Sequence, residues 1–168
     1  MDSFDALFSL DGPTFYVVAT SKDAFANMDL RLLIEYPNHC VRMVRGKKSR
    51  TLQAFYDEIA AALQFPYYFG ENWPAFDDCI SDLDWLVSDA YLLLVNDGDV
   101  LFADEAADER ATFVRHIETG RESWKTPNRY IPRNRQPAPF HVLLQVEQAA
   151  LSALHERIPG ASLLKLAA

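Results

Sequence analysis

The sequence predicts an α/β protein whose core is a small parallel sheet of three strands joined by right-handed helical crossovers. Residues 91–95 and 140–146 are continuous apolar runs, which are typical of strands buried on both faces. Residues 40–45 supply a third candidate strand. Helical patterns lie between these strands, so the order from residue 41 to 146 is β, α, α, β, α, β. This alternation predicts parallel strands with flanking helices.

Three helices are predicted within this core. Thr51 can cap the first, whose apolar stripe ends at Leu63. Asn72 can cap the second, because its side chain can accept hydrogen bonds from free N–H groups of the first turn. Pro74 falls in that turn, where a missing donor costs nothing. The third helix is predicted over residues 104–119, and its acidic first turn suits the helix dipole.

The chain on either side of the core is predicted to extend it. Residues 15–20 are aromatic and β-branched enough to be a strand, and residues 30–36 are a second candidate. Both are interpreted as added β structure on the sheet or as a flap over its edge. A final helix is predicted over residues 148–158, and Pro159 and Gly160 stop it. We therefore expect one domain, with an N-terminal β extension at 1–40, a core at 41–146 that contains a Pro- and Arg-rich insertion at 120–139, and a C-terminal helix and tail at 147–168.

The second predicted helix has two chemically different faces. Its apolar residues recur at i, i+3, i+4 and i+7, and its polar residues fall on the opposite side. The apolar set is Phe76, Cys79, Ile80 and Leu83, and the polar set is Asp77, Asp78, Ser81 and Asp82. Asp82 lies i+4 from Asp78, and the two carboxylates repel each other. Because this repulsion costs stability, the acidic face is interpreted as having a function.

A loop rich in aromatic residues precedes this helix. Tyr67, Tyr68 and Trp73 place aromatic surface beside the acids, and Gly70 would permit a positive φ. Aromatic groups next to carboxylates that can be desolvated are typical of strong protein interfaces. The alternative interpretation is a capped amphipathic helix with a solvated face.

The segment from Phe65 to Trp73, followed by Asp78, Cys79 and Ile80, resembles the barstar family of intracellular ribonuclease inhibitors. In that family a loop of this pattern leads into a helix with an Asp-Cys pair, and the two elements plug the active site of the nuclease. The resemblance implies a barstar-like fold over about residues 41–146. It also implies that Tyr68, Gly70 and Asn72 contact the enzyme and that Asp78 is the dominant acidic contact.

The sequence departs from the family pattern at three places. Pro74 stands where the family has an acidic contact, and Asp77 stands where it has a Trp. His116 aligns with a later acidic contact, for which only Glu118 could substitute. The predicted partner-binding residues are Tyr67, Tyr68, Gly70, Asn72, Trp73, Asp77, Asp78, Ser81 and Asp82.

The resemblance leads to a functional hypothesis. It predicts an intracellular inhibitor, or immunity protein, of a ribonuclease-like toxin, whose acidic helix and aromatic loop occupy the basic active site of the enzyme. The alternative from the same features is an immunity or regulatory binding module with a partner that is not a nuclease. A hydrolase or metal-binding enzyme that uses the acidic cluster is a third alternative.

The charge distribution favours a basic protein as the partner. The formal net charge is −8, which disfavours nucleic acid and anionic membranes as direct partners. Residues 71–109 contain twelve Asp or Glu and no Lys or Arg, whereas residues 110–135 contain seven Lys or Arg. The acidic block is interpreted as a steering field or as a solvated surface. We expect the basic segment to pair with the protein's own acidic face in preference to clamping a partner.

The residues offer little support for catalysis. The four His are scattered, and Cys40 and Cys79 lack metal-ligand spacing. Asp77 and Asp78 are adjacent on a helix and point about 100° apart, so they do not form an opposed acid/base pair. We therefore expect a protein that is not an enzyme, with no cofactor and no metal. An acidic N-terminus and two unpaired Cys predict a cytoplasmic location.

Overall fold

A computed structural model describes residues 4–128 and 135–164. Its strands are β1 (Phe15–Ala19), β2 (Cys40–Arg45), β3 (Tyr91–Asn96), β4 (Phe140–Val146) and β5 (Ser162–Leu163). Its helices are α1 (Lys22–Glu35), α2 (Leu52–Leu63), α3 (Trp73–Asp82), α4 (Ala107–Trp124) and α5 (Leu151–Arg157). No helix in this part of the chain is long and apolar enough to cross a bilayer.

The five strands form one parallel sheet in the order β2-β3-β4-β1-β5. The prediction of an α/β protein with a parallel sheet and flanking helices is confirmed, but the prediction of three strands is wrong. The extension strand β1 pairs with β4 over five residues and lies inside the sheet, so it is not a flap over an edge. The short β5 then pairs with β1 at the outer side.

Residues 30–36 were predicted as a strand, and this prediction is wrong. Residues 30–35 belong to α1 and Tyr36 is its C-cap, and Ser21 caps the start of the helix by accepting a hydrogen bond from Ala24 N–H. Phe25, Met28 and Leu32 bury one face of this helix at i, i+3 and i+7. The apolar run at residues 30–36 was taken alone, and the helical spacing was missed because Phe25 and Met28, the first two residues of the buried face, lie before residue 30.

The sheet has a hydrophobic core on each face. Alternate strand residues such as Phe15, Tyr91 and Val142 pack with helices α2 to α5, while their neighbours pack with α1 and a short 3₁₀ helix, Phe4–Phe8. The strands are therefore buried on both sides, as expected of a parallel sheet. The C-terminal helix is confirmed as α5. Helix α4 extends to Trp124, so the start of the predicted 120–139 insertion is helical.

Helices α3 and α4 approach closely at Gly120. A Cβ atom at this position would lie 2.7 Å from Ile80 Cγ2, which is closer than carbon atoms pack. Replacing Gly120 with alanine is therefore expected to lower the free energy of unfolding by about 1–2 kcal/mol, although alanine favours helices. Urea denaturation checks this value, with the exposed Thr119→Ala as control. Equal or greater stability of Gly120→Ala would show that the two helices can separate without loss.

Candidate protein-binding surface

The aromatic loop, residues 65–72, is anchored to the core by two of its phenylalanines. The rings of Phe65 and Phe69 pack edge-on with centroids 4.9 Å apart, and Phe69 also contacts Tyr56 at 5.6 Å. The N–H of Phe69 donates to Pro66 O at 2.9 Å and closes a turn. These contacts attach the loop to the core.

Tyr67 and Tyr68 lie at the tip of this anchored turn and point into solvent. Their exposed fractions are 100% and 65%, and their rings are 5.6 Å apart. The pKa of Tyr68 is raised, first by partial desolvation and then by the nearby Cys79, Asp82 and Asp84. The exposed tyrosines therefore lie on the same side of the molecule as the acids at the end of α3.

The connection between the loop and α3, residues 70–72, forms mostly as predicted. Asn72 caps the helix by accepting from Ala75 N–H at 2.9 Å, and it donates to Gly70 O at 2.9 Å. The residue with positive φ is Glu71, at 49°, and not Gly70 as expected. A Cβ at Gly70 would lie 2.9 Å from Asn72 Nδ2, so a larger residue there would displace the side chain that caps α3. The Glu71 side chain accepts from Gln53 Nε2 at 2.7 Å and ties the loop to α2.

Asp77 is engaged by the protein's own histidine. Its Oδ1 lies 2.7 Å from His116 Nδ1, and the imidazole ring stacks flat on Trp73, with ring centroids 4.7 Å apart and planes 2° apart. The Trp73 indole N–H in turn points at Glu109 Oε2, 3.3 Å away. This stack joins α3 to α4. Asp77 and Trp73 thus stabilise the fold, and only part of each remains available to a partner.

Asp78 has a different environment from Asp77. It is exposed one turn into α3, and no hydrogen bond or ion pair is found for its carboxylate within the described ranges. The next residue, Cys79, is buried, and its pKa is raised to about 11 by burial and by the acids Asp78 and Asp82. Asp78 is therefore a free carboxylate beside an inert thiol.

The C-terminal end of α3 is partly covered by Arg135. The guanidinium of Arg135 donates to Ser81 O at 2.5 Å and to Ser123 O at 3.1 Å, and it lies 3.6 Å over the Trp124 ring. The pKa of Asp82 is raised, mainly by burial and then by the neighbouring Asp84. At this residue the basic segment therefore contacts α3 and α4 through backbone carbonyls, whereas pairing with the carboxylates of the acidic face was expected. Arg129 and Arg133 of that segment lie outside the described residues.

The predicted binding residues lie on the aromatic loop and on α3, and they differ in exposure. Tyr67, Tyr68 and Asp78 are exposed, whereas Asp77 and Asp82 are partly withdrawn by His116 and by burial. Sequence reasoning missed Glu71 and the His116 stack, and the only signal was the alignment of His116 with an acidic contact. Glu118 lies two residues beyond His116, about 200° around α4, so it does not share this position. No group of His, Cys, Asp and Glu arranged to hold a metal ion is found in the described chain.

The family model of Barstar (barnase inhibitor) matches residues 39–145, which is more than half of the chain. The chain belongs to the barstar family. The match begins just before β2 and ends within β4, and it leaves β1, α1 and the C-terminal elements outside. Barstar-like residues therefore form the β2-β3-β4 side of a larger sheet. No curated protein matches the chain in sequence.

Solved structures of the same fold come from origin recognition proteins. The ORC2 protein of Aeropyrum pernix in its ADP form has a TM-score of 0.57 and 14% identity, and the match covers 92% of this chain and 43% of that one. Drosophila ORC bound to AT-rich DNA and Cdc6 has a TM-score of 0.52 and 16% identity, with 89% and 48% covered. The chain thus spans less than half the length of these proteins. At these identities the likeness establishes the fold alone.

These comparisons overturn the function expected from the sequence. An inhibitor or immunity protein of a ribonuclease-like toxin was predicted, but the solved structures that share the fold over about nine-tenths of the chain include origin recognition proteins. The family match reaches only the β2-to-β4 region. The site agrees with this correction, because Pro74 and the Asp77–His116 pair remove two acidic contacts that the family pattern requires.

Proposed function

We propose that the chain is a non-catalytic docking domain that binds a positively charged segment of another protein within a larger assembly. The observation that carries this proposal is the pair of exposed tyrosines on an otherwise anchored loop. Tyr67 and Tyr68 contribute little to the hydrophobic core, although the neighbouring Phe65 and Phe69 pack against it. Exposed tyrosines on a rigid turn are the side chains that bind protein partners at low cost in conformational entropy.

The charge beside the tyrosines supports a cationic partner. Asp78 is free to accept hydrogen bonds from an Arg or Lys, and Asp82 and Asp84 are close enough to Tyr68 to raise its pKa. Charge-assisted hydrogen bonds to guanidinium groups are stronger than neutral ones. The twelve acids of residues 71–109 add a field that speeds encounter with such a segment. A basic protein, rather than nucleic acid, is therefore the partner we propose.

The chemistry of the acidic helix supports a binding role without catalysis. Asp77 is held by His116, so it is committed to the α3–α4 contact. Asp78 and Asp77 are adjacent on the helix and point about 100° apart, so they do not form an opposed acid/base pair. The raised pKa of Cys79 keeps that thiol protonated near neutral pH. These groups suit recognition better than proton transfer or nucleophilic attack.

The structural likeness brings a second candidate, a domain that acts in an assembly on DNA. The coverage of this chain by the ORC structures favours it. A net charge of −8 makes direct DNA contact unfavourable, so this chain would contact proteins of such an assembly. The turn between β1 and α1 contains Thr20 and Ser21 and no glycine, and we propose no nucleotide site there. A mobility-shift assay with duplex DNA is expected to show no binding by the chain alone, and a shift would favour direct DNA contact.

A peptide selection tests the docking role. A random displayed library is selected on the wild-type chain and depleted on the Tyr67→Ser/Tyr68→Ser/Asp78→Asn variant. We expect the surviving peptides to be rich in Arg or Lys and to bind the variant at least about tenfold more weakly, because each lost contact costs on the order of 1 kcal/mol. All three positions are exposed, so the variant should fold. Peptides that bind both chains equally would contradict the proposed surface.

A further inference from the structure

Two cavities lie side by side at the edge of the sheet where β2 and β3 begin. Their volumes are about 310 Å³ and about 520 Å³, and each is large enough for a leucine or phenylalanine side chain. Leu83 and Trp124 border the smaller cavity, and Leu33 and Pro37 border the larger one. Residues 87–89 line both cavities and therefore form a ridge between them.

Val87 stands on this ridge, and contacts of its neighbours hold it there. The N–H of Asp89 donates to Asn38 O at 3.1 Å, and the carbonyl of Leu86 accepts from the Tyr91 hydroxyl at 2.8 Å. The chain is thus attached on both sides of Val87, whose exposed fraction is 73%. Because the valine is held in water, its apolar surface is available to a partner that covers it.

The exposed apolar surface continues from the ridge onto α1. Leu33 borders the larger cavity with an exposed fraction of 44%, and Leu30, three residues before it, is 59% exposed. Residues three apart lie on the same face of a helix. Ile34 beside them is 77% exposed. Single apolar side chains are common on protein surfaces, whereas a contiguous set of this kind marks a site of interaction.

The charge at the ridge distinguishes between possible occupants. Asp89 is exposed, and no hydrogen bond or ion pair is found for its carboxylate among the described residues. The two arginines that line the cavities are held by backbone carbonyls, Arg42 by Val41 O at 3.0 Å and Arg135 by Ser81 O at 2.5 Å. The accessible charge is therefore negative. A second copy of the chain carries a net charge of −8 and its own Asp89, so repulsion disfavours it as the occupant.

We propose that the ridge binds an amphipathic helix of another protein, with basic residues beside its apolar stripe. Two apolar side chains one turn apart straddle Val87, one in each cavity, and a Lys or Arg next to them pairs with Asp89. Helices that bind in apolar grooves use anchors of this spacing. An added strand is less suited, because the N–H of Asp89 is already bonded to Asn38 O.

This inference is independent of the docking surface proposed above. Tyr67, Tyr68 and Asp78 carry that surface, and none of them lines either cavity. The two surfaces can therefore be removed separately by substitution.

A displayed library of helical peptides tests the ridge. One face of a stable helix is randomised, and binders are selected on the full wild-type chain. We expect the enriched helices to carry two apolar residues one turn apart with a neighbouring Lys or Arg, and to bind Val87→Asp about tenfold more weakly. The sign of this effect is decisive, because the new carboxylate would strengthen any binding that depends on charge alone. Val87 is exposed, so the variant should fold, and an unchanged far-ultraviolet circular dichroism spectrum verifies this.

Two further variants locate the binding. Leu163→Asp makes the same charge change at an exposed residue of β5, on the opposite edge of the sheet, and should change affinity less than about twofold. Tyr67→Ser/Tyr68→Ser/Asp78→Asn removes the docking surface and should also leave these helices bound. Loss of binding with that variant but not with Val87→Asp would place the helices on the docking surface and overturn the ridge alone.

Three other results would overturn the proposal. They are a selection that enriches no helix, equal or tighter binding by Val87→Asp, and sedimentation that shows a dimer of the wild-type chain but not of Val87→Asp. The last result would mean that a second copy covers the ridge.

Discussion

Replacing Trp124 with alanine is expected to lower the free energy of unfolding by about 3–5 kcal/mol. The side chain is 2% exposed, and its indole N–H donates to Ile80 O at 2.8 Å. Its ring packs 4.5 Å from Tyr91 on one side and lies under the Arg135 guanidinium on the other. The change removes a large buried surface, leaves a carbonyl of α3 unpaired and releases Arg135. Guanidinium denaturation followed by far-ultraviolet circular dichroism gives the value.

Trp124→Phe is the matched control for this prediction. Phenylalanine keeps an aromatic ring against Tyr91 but loses the hydrogen bond to Ile80, so a smaller loss of about 1–2 kcal/mol is expected. A loss below about 1 kcal/mol for Trp124→Ala would mean that α4 and the 135–138 segment are not held by this side chain. The Trp124 ring would then not be what holds Arg135 against the end of α3.

Replacing His141 with leucine is expected to cost about 2–4 kcal/mol at neutral pH. The imidazole is completely buried in β4, with Nδ1 2.8 Å from Pro13 O and Nε2 2.7 Å from Ser9 O. A neutral imidazole has one N–H and donates to one of these two carbonyls, whereas leucine offers no donor, so the segment that precedes β1 loses this attachment to the sheet. Urea denaturation at pH 7.5 measures the loss.

The same residue predicts how stability changes with pH. Burial lowers the pKa of His141 below its usual value, and the nearby Arg121 and Lys125 lower it further, although the two carbonyls favour the cation. An unfolded histidine, with a pKa near 6.5, takes up a proton that the folded one resists. The contribution of His141 to the free energy of unfolding is therefore complete above the unfolded pKa and declines as the pH falls below it. The difference between wild type and His141→Leu should shrink from pH 7.5 to pH 5, and a growing difference would contradict the assignment.

The core of the fold was predictable because its elements carry strong local signals. The caps of α2 and α3 at Thr51 and Asn72, and the buried runs of β3 and β4, appear in the structure as the sequence indicates. The position of β1 was not predictable in the same way. Its pairing with β4 joins residues more than a hundred positions apart, and no local pattern encodes the register of parallel strands.

The spacing of the acids on α3 was predictable from the sequence, but their electrostatic environments were not. Spacing on α3 put Asp77, Asp78 and Asp82 on one side of the helix, and the structure agrees. Whether each carboxylate is free depends on residues from α4 and from the 135–138 segment. The stack of His116 on Trp73 and the seating of Arg135 are tertiary contacts between elements that are far apart in sequence. They leave Asp78 as the available acid.

The measurement that tests the docking role most directly is the affinity of a selected cationic peptide for Asp78→Asn. The matched control is Asp23→Asn, which makes the same charge change at an exposed residue of α1, on the other face of the sheet. We predict that Asp78→Asn weakens binding at least about tenfold at physiological salt and that Asp23→Asn changes it less than about twofold. Equal weakening by both variants would show that only the overall negative charge attracts the peptide, and the docking surface described above would be wrong.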